Sequence, residues 1–298
     1  MPAISACLWL DDQAEQAAEY YTSMLPGSKV TGVTCYTEAG QELHGHEPGS
    51  AMTVDFEMGG FRFTALNGGP YFAINPSISF FIRCGTRAEV DRLWETLADG
   101  GQTLMPLDAY PWNERYGWVQ DRYGVSWQVI YADAGPRRIV PALMFVGDQC
   151  GHAEEAIRFY CSAFRDATIG DIARYGADQA PETEGNVMYA EFRLEGQPFV
   201  AMDSAQDHQF AFNEAVSLAI DARTQEEIDD YWSKLSADPE AEQCGWLKDR
   251  YGVSWQVFPA SEMNAMLRDK NRDKVNAVAA AMYTMKKIDL AALRAAGG

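Results

Sequence analysis

The side chains best placed for chemistry stand in an octapeptide that occurs twice, Asp-Arg-Tyr-Gly-Val-Ser-Trp-Gln at 121–128 and again at 249–256. Alternation along a strand puts Ser126 and Gln128 on one face and Val125, Trp127 and Val129 on the other. The apolar set suits a packed core. That leaves Gln128, and Gln256 in the second copy, looking into a concavity where an amide could both donate to and accept from a bound molecule. A glutamine satisfied by a neighbouring strand is the competing reading, because buried amides usually find partners within the fold. Close by lies Tyr110-Pro111-Trp112-Asn113-Glu114-Arg115-Tyr116, an aromatic loop with one acid and one base. Aromatic surface with a few polar groups is what a small-molecule pocket uses, so Trp112, Glu114 and Trp118 join Trp9, Asn67, Gln128 and Gln256 as candidate ligand-binding residues. Large aromatics such as Trp112 and Tyr116 could equally seal a domain interface.

Other chemistries find less support. His44 and His46 form an H-x-H with Glu42 and Glu47 nearby, but the surrounding glycines make a mobile polar loop the stronger reading than a metal site. His152 and His208 are isolated, and the six cysteines show no C-x-x-C spacing, so buried reduced thiols are expected rather than bridges or zinc ligands. No Ser-His-Asp order, G-x-S-x-G elbow or H-E-x-x-H is present. Asn67-Gly68-Gly69-Pro70 reads as a turn, since Pro70 removes a donor and no helix follows to hold a phosphate. A net charge of −19 would repel nucleic acid and anionic membranes. No run reaches the length of a membrane helix, and no charged-then-apolar leader opens the chain, so a cytoplasmic protein is expected.

The elements that must position these residues also come in copies. Beyond the octapeptide, Ser79-Phe80-Phe81-Ile82 matches Ser217-Leu218-Ala219-Ile220, and Trp94, Phe56 and Tyr21 match Trp232, Phe192 and Tyr160. A period of roughly 130 to 140 residues is the size of a whole domain. The expected organisation is a first domain at 1–132, a Gly/Pro linker at 133–138, a second domain at 139–260 and a helical tail at 261–298. Within a copy the pattern runs strand, helix, three strands, and then repeats. Ile4 to Leu10 is strand-like, and Ala14 to Leu25 is helical up to Pro26-Gly27. Val30 to Tyr36, Ala51 to Met58 and Phe61 to Leu66 are strands, Ser77 to Arg83 another, and Thr86 to Ala98 a helix capped by Thr86 with Glu89 completing a capping box. Four β-α-β-β-β units with consecutive strands favour an α+β class. The first copy has twenty positions from Leu97 to Gly117 where the second has ten from Leu235 to Gly245. In the tail, Val275, Val278, Ala279, Met282 and Met285 define an amphipathic helix that docks on its own domain or on a second subunit, leaving a homodimer open.

The doubled octapeptide, Ala65-Leu66-Asn67-Gly68-Gly69-Pro70, the stretch from Pro111 to Trp118 and the tail from Ala281 to Asp289 together resemble the PhnB-like branch of the vicinal oxygen chelate superfamily. That superfamily includes glyoxalase I, the extradiol dioxygenases and bleomycin-resistance proteins, and this branch often carries the label 3-demethylubiquinone-9 3-methyltransferase. The resemblance spans Ile4 to Tyr131 and Ile139 to Phe258. It implies two tandem glyoxalase-like domains, each with two βαβββ units that wrap into a half-open cup. It also implies a divalent metal inside the cup, at positions that map onto Ser5, Phe63, Ser77 and Gln128 in one copy and Val140, Phe199, Ala215 and Gln256 in the other. Neither set offers the carboxylate or imidazole such ions require, so no metal or other cofactor is expected. Methyl transfer is not expected either, as no strand leads through G-x-G-x-x-G into a helix. The expectation is a metal-independent protein that binds a small-molecule ligand, of sequestration or resistance type. A lyase, isomerase or dioxygenase with atypical metal ligands, or with Glu114 or Asp55 as its acid-base group, is the alternative, and a module with filled cups the third.

Overall fold

The computed structural model describes residues 4–132 and 138–298; of the expected linker, only Arg138 lies within them. The first unit comprises β1 (Ile4–Leu10), α1 (Ala14–Met24), β2 (Lys29–Cys35), the short α2 (Gln41–His44), β3 (Ala51–Met58) and β4 (Phe61–Asn67). The second has β5 (Ile78–Cys84), α3 (Arg87–Ala98), β6 (Gln102–Tyr110), β7 (Asn113–Gln120) and β8 (Ser126–Tyr131). The third has β9 (Arg138–Phe145), α4 (Ala153–Ala163), β10 (Ala167–Arg174), β11 (Val187–Leu194) and β12 (Gln197–Asp203). The fourth has β13 (Val216–Asp221), α5 (Gln225–Leu235), β14 (Trp246–Lys248) and β15 (Ser254–Phe258), and α6 (Ala260–Leu267), α7 (Arg272–Tyr283) and α8 (Leu290–Gly297) form the tail. Helix starts follow their sequence signals: the Thr86 hydroxyl accepts from the Glu89 N–H at 3.2 Å, and Thr224 does the same for Glu227.

Two sheets result, and each joins units from different repeats. One runs β14-β15-β13-β1-β4-β3-β2, so it combines the first and fourth units; the other runs β10-β11-β12-β9-β5-β8-β7-β6 and combines the second and third. The seams are antiparallel, Ile4 opposite Ile220 in the 1/4 sheet and Ile78 opposite Leu143 in the 2/3 sheet. The extra residues of the first copy are not a loop. They form β6 and the hairpin to β7, which give the 2/3 sheet its eighth strand, whereas the matching stretch of the fourth unit holds only a short 3-10 turn at Pro239–Ala241.

The convex faces of the sheets pack together within each repeat. Phe63 of β4 lies 5.1 Å from Phe80 and 6.0 Å from Trp127 between ring centroids, and Tyr21 of α1 lies 5.4 Å from Trp127. Tyr160 meets Trp255 in the same way at 5.5 Å. Both repeats contribute to one continuous core, and each concave face is shared between repeats.

The octapeptide is a hub of this packing. The Asp121 Oδ1 accepts from the N–H groups of Tyr123 and Val125 at 2.8 and 3.0 Å, and its Oδ2 accepts from the Tyr21 hydroxyl and the Trp127 indole, both at 2.8 Å. Asp249 repeats all four bonds with Tyr251, Val253, Tyr160 and Trp255. Gly124 and Gly252 hold φ of +85° and +89°, the left-handed conformation that turns the backbone amides onto the carboxylate. An aspartate, a glycine and a tryptophan at these spacings are thus explained by buried polar satisfaction, since an unpaired carboxylate at 4% exposure would be strongly destabilising.

Candidate functional site

The concave face of the 2/3 sheet is built by residues of one strand parity. Phe81 stands opposite Gln128 on β8 and Val140 on β9, and Gln128 stands opposite Trp118 on β7, which faces Met105 on β6. Ser79 lies beside Ser126 and Ala142, and Ala142 beside Val200. Phe81, Tyr116, Val140, Ala142 and Val200 form an apolar cluster separate from the main core, with Met105, Tyr110, Trp118, Ile130, Tyr189 and Met202 packed half-exposed around it.

Polar groups in this concavity are few and ordered. The Gln128 amide donates to the Ser79 hydroxyl at 2.8 Å and its carbonyl accepts from the Tyr116 hydroxyl at 2.6 Å. Burial pushes the Tyr116 phenol pKa up, so it stays a donor at neutral pH. The Trp118 indole donates to Ser126 at 2.7 Å. Across the cup, the Arg83 guanidinium on β5 donates to Glu191 on β11 at 2.5 Å and to the Tyr189 hydroxyl at 3.3 Å, and Tyr189 donates to Glu191 at 2.8 Å. None of Arg83, Tyr189 and Glu191 was singled out from the sequence. The signal was available, for Ser79, Phe81 and Arg83 share the parity that places Gln128 inward.

The 1/4 sheet presents the equivalent face. Cys7 lies beside Ser217 and Thr64, and Thr64 beside Asp55. Gln256 donates to Ser217 at 2.9 Å and neighbours Trp246. Here the tail covers the face. Helix α6 contacts both β13 and β2, strands separated by β1, β4 and β3, and so bridges the concavity. From it Asn264 and Arg268 donate to Asp55 Oδ2 at 2.9 and 2.7 Å, while Thr64 donates to Oδ1 at 2.6 Å. The Arg268 guanidinium lies over Gly32, where a Cβ would meet it at 2.3 Å.

The seven candidate residues thus divide between two faces and the fold itself. Gln128 and Trp118 come together in the 2/3 cup, with Trp112 at the exposed turn of the β6–β7 hairpin, stacked on Tyr110 at 4.9 Å. Gln256 belongs to the 1/4 face, as does Trp9, whose indole donates to the Gly69 carbonyl at 2.8 Å and meets Trp246 edge-on at 5.9 Å. Asn67 is buried, its carbonyl accepting from the Ala14 N–H at the start of α1 and its amide donating to Ala51. Glu114 pairs with Arg87 on the exposed surface. His44 and His46 stack on Tyr36 at 4.4 and 4.3 Å, in a short helix and the turn after it, where a polar loop was expected.

The metal that the superfamily resemblance implies does not suit these faces. Phe63 and Phe199, at two of the mapped positions, are buried in the convex core, and the inward neighbours on those strands are Thr64 and Val200. Cys7 is no thiolate, because burial pushes its pKa up to about 12. Asp55 is already committed to three donors. Among the described residues no group of three or more His, Cys, Asp and Glu stands close enough to hold an ion. Hard and borderline divalent ions need several carboxylates or imidazoles together, and each inward face supplies a single carboxylate, Asp55 or Glu191, already held by an arginine, among hydroxyls, amides and hydrocarbon. Among the described residues no helix is long and apolar enough to cross a membrane.

Comparison with known proteins places this architecture. The family described as 3-demethylubiquinone-9 3-methyltransferase matches residues 2–130 and again 137–258. A PhnB protein of Bacillus cereus, described as a putative 3-demethylubiquinone-9 3-methyltransferase, is 32% identical over 43% of this chain and 98% of its own, with a TM-score of 0.39. A V278E mutant of glyoxalase I from Zea mays is 12% identical and matches 90% of this chain and 96% of its own at a TM-score of 0.55. A Bacillus subtilis protein described as a putative dioxygenase gives 10% identity and a TM-score of 0.50 over 91% of this chain and 88% of its own. No functionally curated protein matches. The whole-chain likeness to the Zea mays structure carries the fold, and the two tandem family matches carry the kinship: this chain belongs to the PhnB-like 3-demethylubiquinone-9 3-methyltransferase family, on the vicinal oxygen chelate fold.

Proposed function

We propose that this protein binds a small organic molecule, without a metal, in the concave face shared by its second and third units. One observation carries the reading: the 2/3 face has an apolar cluster separate from the main core, ringed by the half-exposed Met105, Tyr110, Trp118, Tyr189 and Met202, with Gln128 buried beneath between Ser79 and Tyr116 and the half-exposed Arg83 beside it. Pockets for small molecules have this composition, mostly hydrocarbon and aromatic surface with a few fixed donors and acceptors. The rim methionines, Met105 and Met202, suit entry of a guest because unbranched thioether chains repack at little cost.

The enzyme alternative, a lyase, isomerase or dioxygenase, would need an available acid-base group or metal ligand. Asp55 and Glu114, the carboxylates considered for that role, are both ion-paired. The filled-cup alternative has a specific observation in its favour on the other sheet, where α6 lies across the concavity and Arg268 engages Asp55. We therefore assign the binding role to the 2/3 face and a structural role to the covered 1/4 face.

Native mass spectrometry tests this directly, on the protein as purified and after treatment with a chelator, with elemental analysis alongside. The reading expects one organic adduct, or one equivalent of the neutral apolar probe N-phenyl-1-naphthylamine when added, unchanged by chelation. A stoichiometric metal whose removal abolishes binding would overturn it, as would a clean mass that takes up no probe.

A further inference from the structure

We infer that Arg83 is an anion-recognition residue, and that the ligand of the 2/3 cup is an apolar, flat body carrying a carboxylate, sulfonate or phosphonate-like group. This rests on the binding role proposed above and adds the charge of the ligand to it. Arg83 extends from the central strand β5 across the concave face to Tyr189 and Glu191 on β11. Both of its contacts use one terminal nitrogen, at 3.3 and 2.5 Å. A guanidinium has five N–H donors, and among the described residues the Arg83 Nε and its second terminal nitrogen have no partner. Those donors suit the two oxygens of an anion, in the forked geometry that arginine provides. Tyr189, half-exposed beside the guanidinium and packed edge-to-face on the buried Phe81 at 6.3 Å, offers aromatic surface for the body of such a ligand.

The second cup supplies an independent comparison. Repeat alignment places Asp55 where Glu191 stands, since Phe56 corresponds to Phe192. Each carboxylate holds a guanidinium, but the two are held differently. Asp55 is saturated, by Thr64 on one oxygen and by Asn264 and Arg268 on the other, with the tail packed over it. Glu191 receives both of its bonds on one oxygen, and its side chain is 48% exposed. A half-exposed ion pair of this kind holds its arginine weakly, so a ligand anion can join or displace Glu191 at small cost. Glu191 then acts as an internal counter-ion that keeps Arg83 aimed at the cup while no ligand is bound.

The test compares two probes of nearly the same aromatic body, 1-anilinonaphthalene-8-sulfonate, which is anionic, and N-phenyl-1-naphthylamine, which is neutral. Both are titrated into the full-length protein and into Arg83→Met, Arg83→Lys and Glu191→Gln. We expect Arg83→Met to weaken the sulfonate by about tenfold or more and to leave the neutral probe within about twofold, while Glu191→Gln tightens the sulfonate severalfold. Arg83→Lys should fall between, keeping charge and losing the fork. If wild type binds neither probe, the binding role itself fails. If it binds both and Arg83→Met weakens neither, or weakens both equally, the cup binds ligands but Arg83 does not select anions, and this inference is overturned. Should Arg83→Met fail to fold, Glu191→Gln decides alone: unchanged or weaker sulfonate binding refutes the assignment.

Discussion

Replacing Asp121 by asparagine puts the central claim about the octapeptide to a numerical test. The native carboxylate accepts four bonds, two from backbone amides on Oδ1 and two from Tyr21 and Trp127 on Oδ2. Asparagine offers one acceptor oxygen and an NH2. With the NH2 toward Tyr123 and Val125, two backbone N–H groups are orphaned; with it toward Tyr21 and Trp127, the tyrosine hydroxyl can turn and accept, leaving only the indole N–H unpaired. The second arrangement costs less. It leaves one buried donor unsatisfied, at about 1–3 kcal/mol, and weakens the surviving bonds by removing their charge. Relief of the desolvated charge offsets part of this, since burial pushes the Asp121 carboxyl pKa up even against its four donors. The net expectation is a loss of about 2–4 kcal/mol, with a similar loss for Asp249→Asn. The two hubs share no partner, so the double variant should lose about the sum, a large fraction of the stability of an ordinary folded chain. Urea unfolding followed by both tryptophan fluorescence and far-ultraviolet circular dichroism measures this. A loss under about 0.5 kcal/mol for Asp121→Asn, within the range of an ordinary surface change, would refute the account of the repeated motif as a buried polar hub.

Two further outcomes follow from the same geometry. Gly32→Ala places a methyl group where the Arg268 guanidinium lies, so the arginine must leave Asp55; amide hydrogen exchange should then quicken across 260–268 while the rest of the chain keeps its protection, and unchanged exchange there would contradict the view of α6 as latched through Arg268. The Arg83–Glu191 pair gives a pH dependence. Burial raises the Glu191 carboxyl pKa, but its bonds from Tyr189 and Arg83 outweigh that and hold it below the usual value. A depressed folded pKa means stability that is present above the unfolded value and lost as pH falls through the folded one. The wild-type advantage over Glu191→Gln, no more than about 1 kcal/mol for a half-exposed pair, should hold from pH 7 to about pH 5 and vanish on further acidification. Urea midpoints across that range check it, and a gap that widens toward acid would be the wrong sign.

What could be read in the chain was whatever depends on local period. The duplication is legible as a repeated string, and the inward face of Gln128 and Gln256 and the capped start of α3 follow from short spacings, where side-chain parity and capping chemistry act. What could not be read depends on partners distant in sequence. Parity shows that Ser5 and Phe81 lie on strands with two distinct faces, but not that β1 pairs with β13 and β5 with β9, because seam strands of similar apolar character satisfy either pairing. Trp9 and Gln128 both belong to the first copy, yet they line different sheets. The aspartate of the octapeptide shows the same limit from the other side. Its conspicuous repetition drew attention to the inward glutamine, whereas the bond that spans most sequence within each hub runs from the aspartate to a tyrosine about 90 to 100 positions earlier. Asn67 and Gln128 show it too, for both ends of each amide are tied within the fold, to Ala14 and Ala51 in one case and to Ser79 and Tyr116 in the other, partners that local spacing does not reveal.

The inequality of the two faces has a topological cause. Strand β15 ends the second repeat, and the chain beyond it is free to continue as α6 and to turn back across the 1/4 sheet. Strand β8 holds the equivalent place in the first repeat, but there the chain must begin β9 within seven residues of Tyr131. Helix α6 alone takes eight residues, and it needs a turn on either side, so the link between the repeats is too short to supply a matching cover. Tandem connection thus dictates that at most one concave face can be covered by the segment that follows its last strand. The same connection places Arg83, from the first repeat, against Glu191, from the second, so this ion pair exists only when the two repeats are joined in this way. A single repeat would present half of each row. The duplication is therefore what completes each face, and the tail is what distinguishes one from the other.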